Sequence, residues 1–128
     1  MRNLNKLYWI KKEIEQIENQ IKELTVLSAV SMDGVSGGHN VSSPVERFYI
    51  RLEKLKSRLA DKHAESLEEQ EWLENFIETI EDAEVRVFAR SRYIENKSYQ
   101  QIGDDNYVDR TTVAKKLRKY IEGRKADE

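Results

Sequence analysis

The amino-acid sequence predicts an all-α protein: an N-terminal antiparallel, coiled-coil-like helical hairpin followed by a C-terminal helix-turn-helix. Three observations carry this expectation. Apolar residues recur at alternating three- and four-residue intervals in both halves of the chain, the periodicity of a helix with one buried stripe. Charged residues make up 36% of the 128 positions and only one proline is present, a composition suited to long solvated helices rather than a sandwich or barrel. No segment alternates apolar and polar residues as a half-buried strand does.

The first helix is announced by Leu7, Ile10, Ile14, Ile17, Ile21 and Leu24, spaced 3, 4, 3, 4, 3. This is a strict a/d seam, narrower than the face of an ordinary globular helix. Residues 28–43 follow as a Gly/Ser loop, too long for a tight helical hairpin. Val30, Met32, Val35 and Val41 make that loop more apolar than a solvated linker, so it is expected to fold back or dock. The second helix starts at Ser43 as cap, with Pro44 in the first helical position and Glu46 completing a capping box. Its seam runs through Val45, Phe48, Leu52, Leu55 and Leu59, slips through Lys62 and His63, and resumes at Leu67, Leu73, Phe76, Ile77 and Ile80. One long helix with a stutter and two helices broken near residues 61–66 both fit. Asp82 is expected to cap a further helix over residues 82–96.

Charges beside the seams are complementary. Glu13 and Glu18 flank the first, while Arg51, Lys56 and Arg58 flank the second, which favours pairing the two helices with each other. A lone two-helix hairpin buries little apolar surface for the chain it must order, so a third helix or a second chain is expected to cover it. The expected organisation is therefore a hairpin and oligomerisation module, residues 1–81, and a helix-turn-helix module, residues 82–128. The oligomer is expected to be a homo-oligomer, with a dimer favoured. Trp9 and Trp72 lie off the seam and are expected either to pack on neighbouring segments or to anchor an interface.

Residues 98–121 carry the functional signal. Ser98 and Gln101 form a capping box for a short helix, and Asp109 caps a second one with Thr112 at its third position. The intervening turn is polar, and Asn106 is the residue expected to adopt the left-handed conformation that glycine usually supplies, with Tyr107 as an apolar plug. Ile102, Val108, Val113 and Leu117 are the expected shared core. Residues 110–125 hold seven Lys/Arg against one Glu, so the last helix suits a phosphate backbone. The net charge of −2 hides this polarity, because residues 61–84 contain ten acidic residues and one lysine. That acidic run reads as a solvated face, or as a contact for a basic partner.

Other chemistries find little support. Residues 34–38 match G-x-S-x-G, but that motif needs a strand-to-helix turn to project its serine, and the segment before it is a heptad helix. The same glycines lack the G-K-[ST] ending of a phosphate loop. Two histidines and no cysteine do not make a structural zinc site. Neither enzymatic activity nor a cofactor is expected. No apolar run approaches the ~20 residues of a membrane span, and the N-terminus lacks the apolar core of a signal peptide. A cytoplasmic, membrane-free protein is expected.

Residues 84–121 resemble the C-terminal DNA-binding region of sigma factors: an arginine-tyrosine helix at Arg92-Tyr93, an Ile-Gly helix at Ile102-Gly103, and a Thr-Val recognition helix at Thr112-Val113. Taken whole, the chain resembles the phage-encoded ArpU/RinA-type regulators of late gene transcription, in which an N-terminal helix, a Gly/Ser loop, a second helix opening with Ser and Glu, and a sigma-like helix-turn-helix occur in this order. The resemblance implies a DNA-binding transcription regulator of phage or prophage, with RNA polymerase as a further candidate partner. A small terminase subunit and a polymerase- or sigma-binding interaction protein are the alternatives.

In helix-turn-helix geometry the N-terminal part of the second helix enters the major groove. Arg110, Thr111, Ala114, Lys115 and Arg118 are then the candidate base readers. Arg110 and Lys115 suit guanine or an adjacent phosphate, while Thr111 and the Ala114 methyl suit a thymine methyl. Lys116, Lys119, Arg124 and Lys125 are candidate backbone contacts, which position without specifying. Ser98, Tyr99 and Gln100, at the start of the first helix, are candidates for a phosphate held by free amides and hydroxyls.

Overall fold

In the computed structural model every described element is helical, as expected for an all-α chain. The structure describes the backbone of residues 2–32 and 43–126, and side chains within 2–27 and 43–121. Helix α1 covers Lys6–Met32, α2 Pro44–Glu78, α3 Ala83–Ala89, α4 Tyr99–Asn106 and α5 Arg110–Ala126. Among the described residues no helix is long and apolar enough to cross a membrane.

The chain divides into two compact units, Ile10–Ser66 and a second composed of Met1–Trp9 with Leu67–Glu128. The first is a helical hairpin. Ile10, Ile14 and Ile17 of α1 and Leu55 of α2 are buried in it, and Ile21, Leu24, Phe48, Leu52 and Leu59 are half-buried. Lys62 Nζ lies 3.0 Å from Glu13 Oε2, so the end of this part of α2 meets the start of α1 and the two run antiparallel. Of the flanking charges, only Glu13 finds an opposite partner; Glu18, Arg51, Lys56 and Arg58 form no ion pair among the described residues. α1 extends through residues 28–32, past the expected start of the loop, because no glycine or proline interrupts it before Gly34. The remaining loop, with its G-x-S-x-G match, lies outside the described residues.

α2 is one helix, and its seam does not slip. Side chains turned inward continue through Leu55, Leu59, Lys62, Ser66, Glu69 and Leu73, spaced 4, 3, 4, 3, 4. The register is unbroken, but polar residues fill three successive inward positions. A hydrophobicity pattern therefore lost the seam there and shifted it onto Leu67, which is 69% exposed. Each inward-facing charge is matched. Lys62 contacts Glu13 and Glu65, and those carboxylates hold its pKa above the ordinary lysine value despite partial desolvation. Glu69, 2% exposed, takes a charge-assisted hydrogen bond from Arg2 Nη2 at 2.6 Å. The Arg2 guanidinium also lies 4.0 Å from the centre of the Trp72 ring, which stacks on Phe76.

The second unit gathers one core from distant stretches of sequence. Leu4, Leu7, Leu73, Ile77 and Ile80 are buried in the same cluster as Val85, Phe88, Tyr93, Ile102, Val113 and Leu117. The boundary drawn at residues 81 and 82 from sequence runs through this cluster. A compact unit follows shared burial rather than the position of a helix cap.

Asp82 caps α3 by accepting from the Glu84 N–H at 2.9 Å. The helix expected over residues 82–96 is α-helical only to Ala89 and then widens into a π-helical turn over residues 90–94, with Glu95 N–H bonded to Arg90 O at 3.0 Å. The wider turn brings Ser91, Tyr93 and Ile94 inward together. Asn96, at φ 59°, then reverses the chain toward α4.

Candidate nucleic-acid interface

The geometry of the helix-turn-helix follows from its capping residues. Ser98 and Gln101 form the full capping box: Gln101 N–H donates to Ser98 Oγ at 3.1 Å, and Ser98 N–H to Gln101 Oε1 at 2.9 Å. α4 ends at Tyr107, whose φ of 57° and ψ of 40° are left-handed. The residue expected in that conformation, Asn106, instead closes the helix, its Nδ2 donating to Ile102 O at 2.8 Å. Tyr107 plugs nothing, being 95% exposed. The chain turns directly over Gly103: a Cβ there would stand 2.6 Å from Val108 O and 3.2 Å from Arg110 N. Only glycine lets the backbone close that tightly. Val108 N–H reaches Gly103 O at 2.9 Å and holds the turn.

Asp109 starts α5. Its Oδ2 accepts from the Thr111 N–H at 3.0 Å and from the Thr111 hydroxyl. These two bonds, hydroxyl first, hold the Asp109 carboxyl below its ordinary pKa, with Arg110 and Lys115 adding to the effect. Ile102, Val113 and Leu117 are fully buried and Val108 packs against them, as the sequence indicated.

Opposite the buried Val113 and Leu117, α5 presents Thr111, Lys115 and Arg118 to solvent, with Lys119 beside them and Arg110 in the first turn. Arg110, Lys115, Arg118 and Lys119 form no ion pair among the described residues. Their charge faces water, the arrangement a polyanion requires. Ala114 is half-buried at the edge of this face. Lys116 points to the other flank, where its Nζ contacts Glu84 Oε1 on α3; the lysine assigned to a phosphate is partly neutralised within the fold. The side chains of Arg124 and Lys125 lie outside the described residues.

At the start of α4, Ser98 is exposed, and Gln100 donates to Asp104 Oδ1 at 2.9 Å. Tyr99 is half-buried beneath Arg92, whose guanidinium lies 4.3 Å from the ring centre and donates to Lys97 O at 3.1 Å. Tyr99 thus acts as a support rather than an outward contact. Sequence reasoning missed the contacts that Arg92 makes with Tyr99 and Lys97 O and the left-handed Asn96 just before α4. The signals were present: an Arg-Tyr pair seven residues before a tyrosine, and an asparagine, the residue that best tolerates φ near +60° after glycine. Lys97 bridges Glu95 and Asp105 at 3.2 and 3.0 Å, which raises its pKa and secures the same joint. An open groove of about 510 Å³ lies beside this joint, bordered by Arg92, Ser98, Gln101 and the 59%-exposed Trp9.

The profile of one protein family, described as "Protein of unknown function (DUF1492)", matches residues 24–123. No curated protein and no solved structure matches the chain.

Proposed function

The chain belongs to the DUF1492 family, and from the geometry of α4 and α5 we propose that it binds double-stranded DNA sequence-specifically as a transcriptional regulator. One observation carries the reading: Arg110, Lys115 and Arg118 are exposed and form no ion pair among the described residues, on a helix whose start is fixed by the Asp109 cap and the tight turn over Gly103. A helix about 10–12 Å across fits a major groove. Arg110, Lys115 and Arg118 act as base or flank readers, and Lys119 neutralises a phosphate. Ser98 offers a hydroxyl at the start of α4. The protein acts by binding rather than catalysis, in the cytoplasm, as a homo-oligomer. The resemblance to ArpU/RinA-type regulators supports a role in phage or prophage late gene expression, with RNA polymerase as a further partner.

Selection of bound fragments from random-sequence DNA tests binding and specificity together; a consensus should emerge. Arg110→Ala should weaken binding to that consensus by about tenfold or more while reducing random-sequence binding far less, since a lost base contact costs ~1–3 kcal/mol. Cations of α5 that reach phosphates displace counterions, so affinity should fall steeply with added salt. A flat salt response, or no enrichment of any sequence, would overturn the proposal.

A further inference from the structure

α2 carries a charge pattern that the DNA-binding reading leaves unexplained. Within the hairpin unit, Arg47, Arg51, Lys54, Arg58, Asp61 and Glu65 are spaced 4, 3, 4, 3, 4, which places all six along one face of the helix. The four cations come first and the two anions follow. Arg47, Arg51, Lys54, Arg58 and Asp61 are exposed and form no ion pair among the described residues. Glu65 contacts Lys62 at 3.4 Å and keeps its second oxygen available. The basic part borders a shallow groove of about 160 Å³, floored by Ile50 and Leu55. Ile50, Ser57 and Ala64, seven residues apart and exposed, run beside the stripe and leave room for a second helix to approach.

We propose that this face of α2 pairs antiparallel with the same face of a second copy of the chain. The argument is self-complementarity. A two-fold axis between residues 59 and 60 sets Lys54 opposite Glu65 and Arg58 opposite Asp61, and symmetry makes each pair twice. In the sequence the series extends outward with the same spacing to Arg51 and Glu68, which fall opposite each other about the same axis. A parallel copy would oppose like charges throughout, so the pattern selects orientation and register together. A nucleic acid suits the face less well, because the same stripe that offers four cations turns anionic within one helical turn of Arg58. The pairing deepens the oligomeric part of the function proposed above, and its test reads oligomeric state apart from DNA binding, so the two readings stand or fall separately.

The full chain should sediment as a dimer that weakens with added salt, because exposed ion pairs are screened. K54E/R58E makes the four positions about the axis (54, 58, 61 and 65) all acidic, and D61K/E65K makes them all basic. Each should raise the dimer dissociation constant by about tenfold or more, since like charges then oppose each other across the axis. Mixing the two variants should restore a dimer containing one chain of each, a rescue that misfolded chains do not show. The milder pair Lys54→Gln and Arg58→Gln should weaken the dimer with helicity unchanged by circular dichroism. A monomeric wild type, dimers indifferent to both reversals, or no rescue on mixing overturns the proposal. So does a K54E/R58E chain that stays dimeric but loses DNA affinity, which would assign the stripe to nucleic acid.

Discussion

Tyr107 and Gly103 sit on opposite sides of one turn, and each holds a residue type that the other position would suit better or not at all. Tyr107 is left-handed, exposed and without packing. An L-residue there costs ~1–2 kcal/mol, offset in part by the extra unfolded-state freedom of glycine. Tyr107→Gly is therefore expected to stabilise the protein by about 0.5–1 kcal/mol in urea titrations. Gly103→Ala is expected to do the reverse. Its new methyl would meet the Val108 carbonyl, a backbone atom with no rotamer to yield, at a loss of about 1–3 kcal/mol. Equal and small effects at both positions would mean that the turn does not close as described.

The joint between α3 and α4 behaves as an element with its own pH dependence. Tyr93 lies within it, and burial pushes its hydroxyl up to about 12, with Tyr99 adding to the shift and Arg92 opposing it. The folded state therefore keeps the proton longer than the unfolded chain, which releases it near 10. Stability from this group is fully present below pH 10 and is lost as pH rises toward 12. Lys97, whose pKa is also raised, loses its contribution in the same direction. Unfolding midpoints should thus fall across that window, and Tyr93→Phe should flatten the part of the decline due to Tyr93. An unchanged slope in Tyr93→Phe would remove the tyrosine as its source.

Across the molecule, core membership crosses the chain. Leu7, fully buried, lies in α1 yet belongs to the cluster that contains Ile102, Val113 and Leu117. Leu7→Ala should cost about 2–5 kcal/mol, and the loss should reach amide exchange in α4 and α5 even though none of these residues is near it in sequence. Protection lost only within α1 would contradict a shared core. The same organisation makes the N-terminal residues part of the unit that presents the cationic face, which a separate oligomerisation module would not be.

By itself the sequence determined the helices, their caps and the cationic face. These depend on local chemistry: three-four periodicity, the hydroxyl of Ser98 and the carboxylate of Asp109 beside free amides, and cations placed opposite Val113 and Leu117. Tertiary structure decided which polar residues lie inside, where the units divide, and which side chain takes the strained turn. Lys62 and Glu69 turn inward because Glu13 and Arg2 meet them there, and hydrophobicity alone cannot register a pairing partner far along the chain. Lys116 is drawn to Glu84 for the same reason. Tyr107 takes the left-handed position because Asn106 uses its amide to finish α4 while Gly103 lets the chain cross directly above it. That choice belongs to the closed turn as a whole, where the carbonyl and amide partners compete within a few ångströms.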